Sequence, residues 1–342
     1  MYNIAVIGCG VIGVTTALEI QKKYGGIAKV TIVADKFSPK TTSDIAAGLW
    51  EPYLLAENDE EDVIRWSKAT FDFILKLWKE GKAKDAGICL QPAVNLFNCK
   101  NYNTPKWVSV TLGYNELGVR HLESLSKQYN QSFTGGFMFM GFTWEPILFL
   151  PHLQKQFLRN GGTIIEKHVQ RFNELEDFDV IVNCTGLEAR NLSCDRSIVP
   201  IRGQVIRVYA PWQYITYLIQ CDDDEDACYV IPNRDSVILG GTKQQSFDTT
   251  INKNDTDRIL KNTSKINYAL AKCKKISEVV GLRPSRYRVR LEDEYIETNS
   301  GKILGIVHNY GHGGAGITLA IGCAKDASNL VENVLKIKYS KL

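Results

Sequence analysis

The apolar positions at the start of the chain fall into two short runs separated by a longer periodic stretch. Tyr2 to Ile7 reads as a buried strand, Val14 to Lys23 has the length and periodicity of a helix, and Lys29 to Ala34 is a second apolar strand. Between the first strand and the helix stands Gly8-Cys9-Gly10-Val11-Ile12-Gly13, a G-x-G-x-x-G in the strand, turn and helix setting that its chemistry requires. Gly8 permits the tight turn, Gly10 lets a pyrophosphate approach the backbone, and Gly13 lets the helix pack closely on the strand. The second strand ends at Asp35, whose carboxylate accepts from a ribose hydroxyl. Together these predict a dinucleotide site. A plain glycine turn accounts for neither Asp35 nor the placement at residue 8, while the choice between NAD and FAD stays open, since both use this fingerprint.

Further along, KFSPKTTSDIAAGLWEPY is too polar for a core segment and offers Lys36, Thr41, Thr42 and Ser43 for further phosphate contacts. Asp179 to Gly186, DVIVNCTG, reads as a buried strand ending in a small-residue turn, and Arg202-Gly203-Gln204 is a second small motif; each is open between a cofactor role and a structural one. The stretch His308 to Ala324, HNYGHGGAGITLAIGCA, gathers two histidines, a tyrosine and many glycines before the last helix. A glycine-dense turn opening a helix presents backbone N–H groups at the helix's positive end, which is a place to hold an oxygen-rich ligand.

At 342 residues the chain predicts about two domains and is long enough to bury a cofactor. Its composition, 44% hydrophobic and 23% charged without low-complexity tracts, excludes a disordered or repeat protein. A net charge of +3, with acids and bases interspersed, excludes the footprint of a nucleic-acid binder. The nine cysteines are odd in number, scattered and without a C-x-x-C pair, so they read as reduced thiols, and no metal site is expected. MYNIAVIGCG carries neither a signal peptide nor a membrane span, so the protein is expected inside the cell. The terminal Ser340-Lys341-Leu342 matches the S-K-L address read by the peroxisomal import receptor, which predicts the peroxisome matrix; a solvated tail is the bland alternative. Oligomeric state is not legible.

The segments Ile306 to Gly316 with Gly322 and Ala324, VIGCGVIG, ADKFSPKTTSDIAAGLW, VNCTG, IRGQVIRVYAPW, YVIPNRDSVILGGT and GLRPSRYRVRLE resemble, in order, those of the D-amino-acid oxidase and D-aspartate oxidase family. The resemblance covers nearly the whole chain. It implies an α/β fold: a discontinuous Rossmann-type FAD-binding domain (1–52, 142–197 and 284–342) and a substrate domain with a mixed β-sheet (53–141 and 198–283). It implies non-covalent FAD, with Gly48, Leu49, Val169 and Gly186 at the cofactor and Gly313, Gly314, Gly316, Ile317 and Thr318 turning backbone donors toward the flavin. By the same resemblance Arg286, in Arg283-Pro284-Ser285-Arg286, grips the substrate α-carboxylate, Tyr229 bonds it, the carbonyl of Gly314 takes the amine, and His308 and His312 belong to cofactor-side structure. Without that likeness, Arg286 reads as a surface salt bridge and Tyr229 as a half-buried strand residue.

Two departures bear on the substrate's side chain. Where neutral-substrate oxidases carry a lid tyrosine, this chain has the acidic run Asp222 to Asp226, which is either a charged lid or a solvated loop. Lys243 follows Gly240-Gly241-Thr242 where D-aspartate oxidases carry a cation, whereas Glu51 stands where neutral-substrate enzymes have an amide and disfavours a second carboxylate. The expected activity is oxidation of a D-amino acid by FAD and dioxygen to an imino acid, hydrolysed to 2-oxo acid and ammonia, with hydrogen peroxide released. The lean is to acidic substrates, D-aspartate first, with neutral or basic D-amino acids as the alternative. The rivals are a nicotinamide dehydrogenase and a non-catalytic FAD-binding protein.

Overall fold

The apolar run Tyr2–Ile7 forms a strand because both its faces and both its edges are covered: it lies between two parallel neighbours, and its last four residues are buried. The computed structural model describes residues 1–55, 57–99, 103–221, 227–298 and 300–340, with side chains as far as residue 336. The acidic run Asp222 to Asp226, Lys341, Leu342 and the side chain of Ser340 lie outside the described residues.

Fourteen strands among the described residues form one sheet. They are β1 (Tyr2–Ile7), β2 (Ala28–Ala34), β3 (Ile88–Asn98), β4 (Leu112–Glu116), β5 (Gly135–Trp144), β6 (Thr163–Glu166) and β7 (Val180–Asn183), then β8 (Val199–Val208), β9 (Thr216–Cys221), β10 (Cys228–Pro232), β11 (Val237–Gly240), β12 (Gln244–Gln245), β13 (Lys275–Glu297) and β14 (Ile303–His312). Their order is β4-β5-β3-β9-β10-β11-β8-β13-β14-β7-β1-β2-β6, with β12 beside β8. At one end β14, β7, β1, β2 and β6 are paired in parallel, as in a Rossmann-type unit. The other end is antiparallel apart from the β3–β9 pair. The 23-residue β13 joins the two, pairing with β8 through its first half and with β14 through its second. The expected mixed sheet over the cofactor is therefore continuous with the parallel one.

The predicted helix begins earlier than its periodicity indicated, at Val11, and runs to Tyr24 with Gly10 as its N-cap. It lies against the last helix, Gly316–Ser340, with Thr15 Oγ1 donating to the Ala320 carbonyl at 3.4 Å and the Tyr24 hydroxyl to that of Ser328 at 2.9 Å. Helix Glu60–Lys79 is started by Asp59, whose side chain accepts from the Glu61 and Asp62 amides. Its buried stripe of Val63, Trp66, Ser67, Thr70, Phe71, Ile74 and Leu77 follows the 3.6-residue period and faces the last helix, where Trp66 Nε1 reaches Asp326 at 2.7 Å. Trp50, Phe71, Phe142 and Trp144 anchor the main core, with Trp50 and Phe71 edge to face at 5.0 Å. Among the described residues no helix is long and apolar enough to cross a membrane.

Candidate active site

The carboxyl ends of the parallel strands and the near face of the antiparallel end enclose one elongated cavity of about 710 Å3. Its first wall is the glycine turn after β1. Gly8 has φ +106°, and a Cβ there would stand 2.5 Å from the Cys184 carbonyl oxygen at the end of β7, so the turn passes β7 only without a side chain. Gly8, Gly10, Val11 and Ile12 line the cavity; Gly13 does not, because it packs against the Gly8 carbonyl and closes the turn behind them. Asp35 and Lys36 line it at the end of β2, where the Asp35 carboxylate accepts from His168 Nδ1 at 3.0 Å. The polar loop supplies Thr41, Thr42 and Ser43, together with Lys40; Ser43 Oγ accepts from the Val11 amide at 3.0 Å, and Thr41 is tied to Asp44. Gly48, Leu49, Val169 and Gly186 also line the cavity, as do Gly313, Gly314, Gly316 and Ile317 at the start of the last helix.

Thr318, expected to turn its backbone amide toward the flavin, has a second tie through its side chain. Its hydroxyl pins residue 51, accepting from the Glu51 amide at 3.1 Å and donating to the Glu51 carbonyl at 2.9 Å. Cys9 and Cys184 line the cavity as inert thiols, each pushed up to about 12 by burial.

The far wall is built by the antiparallel strands. Tyr229 on β10 lies directly over β11, where a Cβ on Gly240 would come within 2.2 Å of its ring. Arg283 on β13 lies over β8 in the same manner, with a Cβ on Gly203 falling 2.4 Å from both terminal guanidinium nitrogens. The two glycines thus make a shelf on which a phenol and a guanidinium lie flat and adjacent. Arg283 donates to the Thr242 carbonyl at 2.9 Å, is hydrogen-bonded to Tyr229, and stands 5.8 Å from the ring centroid of Tyr53. Burial holds the Tyr229 phenol above its ordinary range, with the Arg283 charge opposing, so it is a neutral donor. Tyr53 in turn lies against Gly314, and the Gly313 amide donates to the Pro284 carbonyl at 2.9 Å.

Arg286 does not reach this shelf. Its Nε bonds Asp195 at 2.9 Å, its Nη1 the Arg288 carbonyl at 3.1 Å, and its guanidinium stacks over Tyr287 outside the cavity. The strand pairing differs at the two positions: β13 pairs regularly with β8 through Arg283 as far as Ser285, and its pairing with β14 is irregular between Ser285 and Arg290, so Arg286 stands in a bulge that turns its side chain away from the shelf. Lys243 is likewise exposed and outside the cavity lining, because Thr242 turns inward to bond the Gln204 amide at 2.9 Å and its successor turns out. Glu51 does line the cavity. Its carboxyl is buried, pushed up to about 7 by desolvation, with the Asn95 amide at 3.3 Å opposing that shift.

His312 lines the cavity and burial lowers it to about 3, so it is a neutral imidazole; among the described residues its Nε2 has no hydrogen-bond partner. His308 sits behind it, held by Glu294 at 2.8 Å and Asn183 at 3.2 Å. Sequence reasoning missed Arg283, Tyr53, Asn95, Lys40, Lys167 and His168. Arg283, Tyr53 and Lys40 stood inside quoted segments; Lys167 and His168 carried no local signal, because a distant segment brings them to the cavity, and Asn95 meets the site through its bond to Glu51.

The residues present fit FAD. The cavity runs without interruption from an acid and lysines beside β2, past bare backbone at a helix N-terminus, to a second glycine turn at another, which suits an adenosine, a pyrophosphate and a ring system in that order. A family model described as FAD dependent oxidoreductase matches residues 3–330. The chain is 36% identical to a D-amino acid oxidase of Dugesia ryukyuensis, over 97% of this chain and 98% of that one. It is 34% identical to a human D-aspartate oxidase, over 96% and 94% respectively. Among solved structures it resembles glycine oxidase from Geobacillus kaustophilus, with a TM-score of 0.74 at 17% identity, covering 97% of this chain and 95% of that one. The L-alpha-glycerophosphate oxidase from Mycoplasma pneumoniae, solved with FAD bound, is similar at TM-score 0.70 and 15% identity, covering 97% and 95%. With its fingerprint turn, its second glycine turn and its full-length relatives, the chain belongs to the FAD dependent oxidoreductase family.

Proposed function

We propose that this enzyme oxidises D-amino acids with FAD, giving 2-oxo acid, ammonia and hydrogen peroxide. The observation that carries the reading is the Arg283, Tyr229 and Tyr53 cluster at the same end of the cavity as the Gly313-Gly314 turn. A guanidinium fork beside a neutral phenol is a bidentate anion receptor of the kind an α-carboxylate needs. The carboxylate grip assigned to Arg286 by resemblance therefore passes to Arg283, with Tyr229 as its companion donor and the Gly314 carbonyl as acceptor for the amine. When bound, FAD supplies the acceptor for the hydride from Cα and passes the electrons to dioxygen.

The protein's contribution is orientation. Arg283 and Tyr229 fix one end of the zwitterion, and the apolar Leu218 and Ile231 exclude water beside it. His312, buried and lowered to about 3, is a neutral imidazole and not an acid at ordinary pH. The preference for an acidic side chain loses its support once Lys243 stands outside the cavity. Lys36, Lys40 and Lys167 line the cavity at the opposite end, beside the ends of β2 and β6. The division into a cofactor domain (1–52, 142–197 and 284–342) and a substrate domain (53–141 and 198–283) is part of this proposal, with β13 crossing it at Pro284. Import into the peroxisome through Ser340-Lys341-Leu342 belongs to the same proposal.

A peroxide assay on the FAD-loaded protein across the D-amino acids tests the function. Peroxide from D-alanine or longer D-amino acids, and none from their L-enantiomers, supports it. A yellow preparation excludes the nicotinamide reading, and flavin without turnover on any D-amino acid would leave the non-catalytic one standing.

A further inference from the structure

Glu51 is a buried acid that the mechanism does not use. It lines the cavity, its backbone is pinned on both sides by Thr318, and its carboxyl has one protein partner, Asn95 Nδ2 at 3.3 Å. Among the described residues no cation reaches it, although an unpaired buried carboxylate is among the more costly groups a protein can hold. Asn95 is itself held from behind, accepting from Gln220 Nε2 at 3.5 Å.

Sheet register places this acid relative to the anion receptor. Asn95 on β3 is paired with Leu218 on β9, and Leu218 with Tyr229 on β10, so the three side chains stand in a row on one face. Two strand spacings, roughly 10 Å, separate the backbone under Tyr229 from that under Asn95. Leu218 fills the middle of the row and lines the cavity with an apolar surface. A substrate whose α-carboxylate lies on Arg283 and Tyr229 would run its side chain along Leu218 toward Glu51. The distance and the lining suit a chain of three or four methylenes ending in a cation, which buries its stem and presents its charged head.

We propose that Glu51, positioned by Asn95 and Thr318, is the receptor for a cationic substrate side chain, so that D-arginine, D-lysine and D-ornithine are preferred over uncharged D-amino acids of equal length. The inference rests on the D-amino-acid oxidase reading above and names its substrate class.

The test compares D-arginine with D-citrulline, which differ in charge but hardly in shape, on the FAD-loaded enzyme. The expected kcat/KM ratio in the wild type is about tenfold or more in favour of D-arginine, the effect of one charge-assisted pair. In E51Q the ratio falls toward one whatever happens to the overall rate, and in Glu51→Asp, which keeps the charge, it stays above that of E51Q. Should E51Q not fold, the wild-type ratio decides alone. Oxidation of D-citrulline and D-alanine with a wild-type ratio at or below one overturns this inference and leaves the oxidase reading intact, as does a ratio unchanged in a folded E51Q. Absence of peroxide with every D-amino acid overturns both.

Discussion

Two arginines three residues apart make opposite predictions, and their separate removal is the sharpest check on the site. Arg283 lies on the glycine shelf with Tyr229; Arg286 stands in the bulge of β13, turned away from the shelf and holding Asp195 at 2.9 Å. In Arg283→Ala the substrate carboxylate loses a two-pronged charged donor. At about 1.5–3 kcal/mol for each charge-assisted bond, the two prongs contribute roughly 3–6 kcal/mol. At 1.4 kcal/mol per decade that is a loss of about 10²–10⁴ in kcat/KM, common to every D-amino acid. Arg283→Lys keeps the charge without the fork and should fall between. In Arg286→Ala, Asp195 still accepts from Tyr310 at 3.0 Å and from Ser197 at 2.5 Å, so kcat/KM should stay within about threefold of wild type. That variant should instead lower the melting midpoint by a few degrees, because its partner is a half-buried acid that burial raises but Ser197, Tyr310 and Arg286 together lower to about 2. The assay is peroxide release with D-alanine and one longer substrate, with bound flavin measured by absorbance in each variant. An Arg286→Ala enzyme crippled as deeply as Arg283→Ala, or an Arg283→Ala enzyme within tenfold of wild type, would refute the assignment.

Three further outcomes follow from the same geometry. Gly240→Ala drives a methyl into the Tyr229 ring, so kcat/KM should drop by at least tenfold while the melting midpoint changes less than for a core cavity; an unchanged kcat/KM would remove the shelf from the argument. Lys243→Met should leave the ratio of kcat/KM for D-aspartate over D-alanine unchanged, since Lys243 is exposed outside the cavity; a collapse of that ratio would restore the acidic reading. Glu51 titrates near 7 when folded against 4.5 ordinarily, so the folded state holds a proton that the unfolded chain has released, and stability should fall as pH rises through that window by up to about 3 kcal/mol. The thermal midpoint of E51Q should therefore gain on wild type between pH 5 and pH 8, and parallel profiles would show that Glu51 is not desolvated as described.

The cofactor half of the site was legible because its chemistry is local. Gly8, Gly10, Asp35 and Gly313 each act through their own backbone or through a spacing fixed by one strand and one helix, and all four line the cavity. The substrate half was legible only as far as motif and face agreed. Tyr229 could be placed, because its strand is short and its neighbours are paired in simple register. Arg283 and Arg286 share one motif, and only the irregular pairing of β13 after Ser285 tells them apart; Thr242 and Lys243 lie in the connection between β11 and β12, where Thr242 is held inward by the Gln204 amide and Lys243 is exposed. Asn95 lies 44 positions from Glu51, and nothing in either segment announces that β3 will carry one to the other.

The hydrogen bond from the Gly313 amide to the Pro284 carbonyl has a mechanical meaning. Pro284 is the residue after Arg283, and Gly313 begins the cofactor-facing turn, so the anion clamp and that turn form a single rigid jaw spanned by one 2.9 Å bond. Asn95 sits two strands from Tyr229, with Leu218 between them, and meets the cavity-lining Glu51 through its side-chain amide. The enzyme is thus divided by stiffness as well as by sequence: the part that every substrate must share is locked together, and the part that reads the side chain can be exchanged by substitution without loosening the lock.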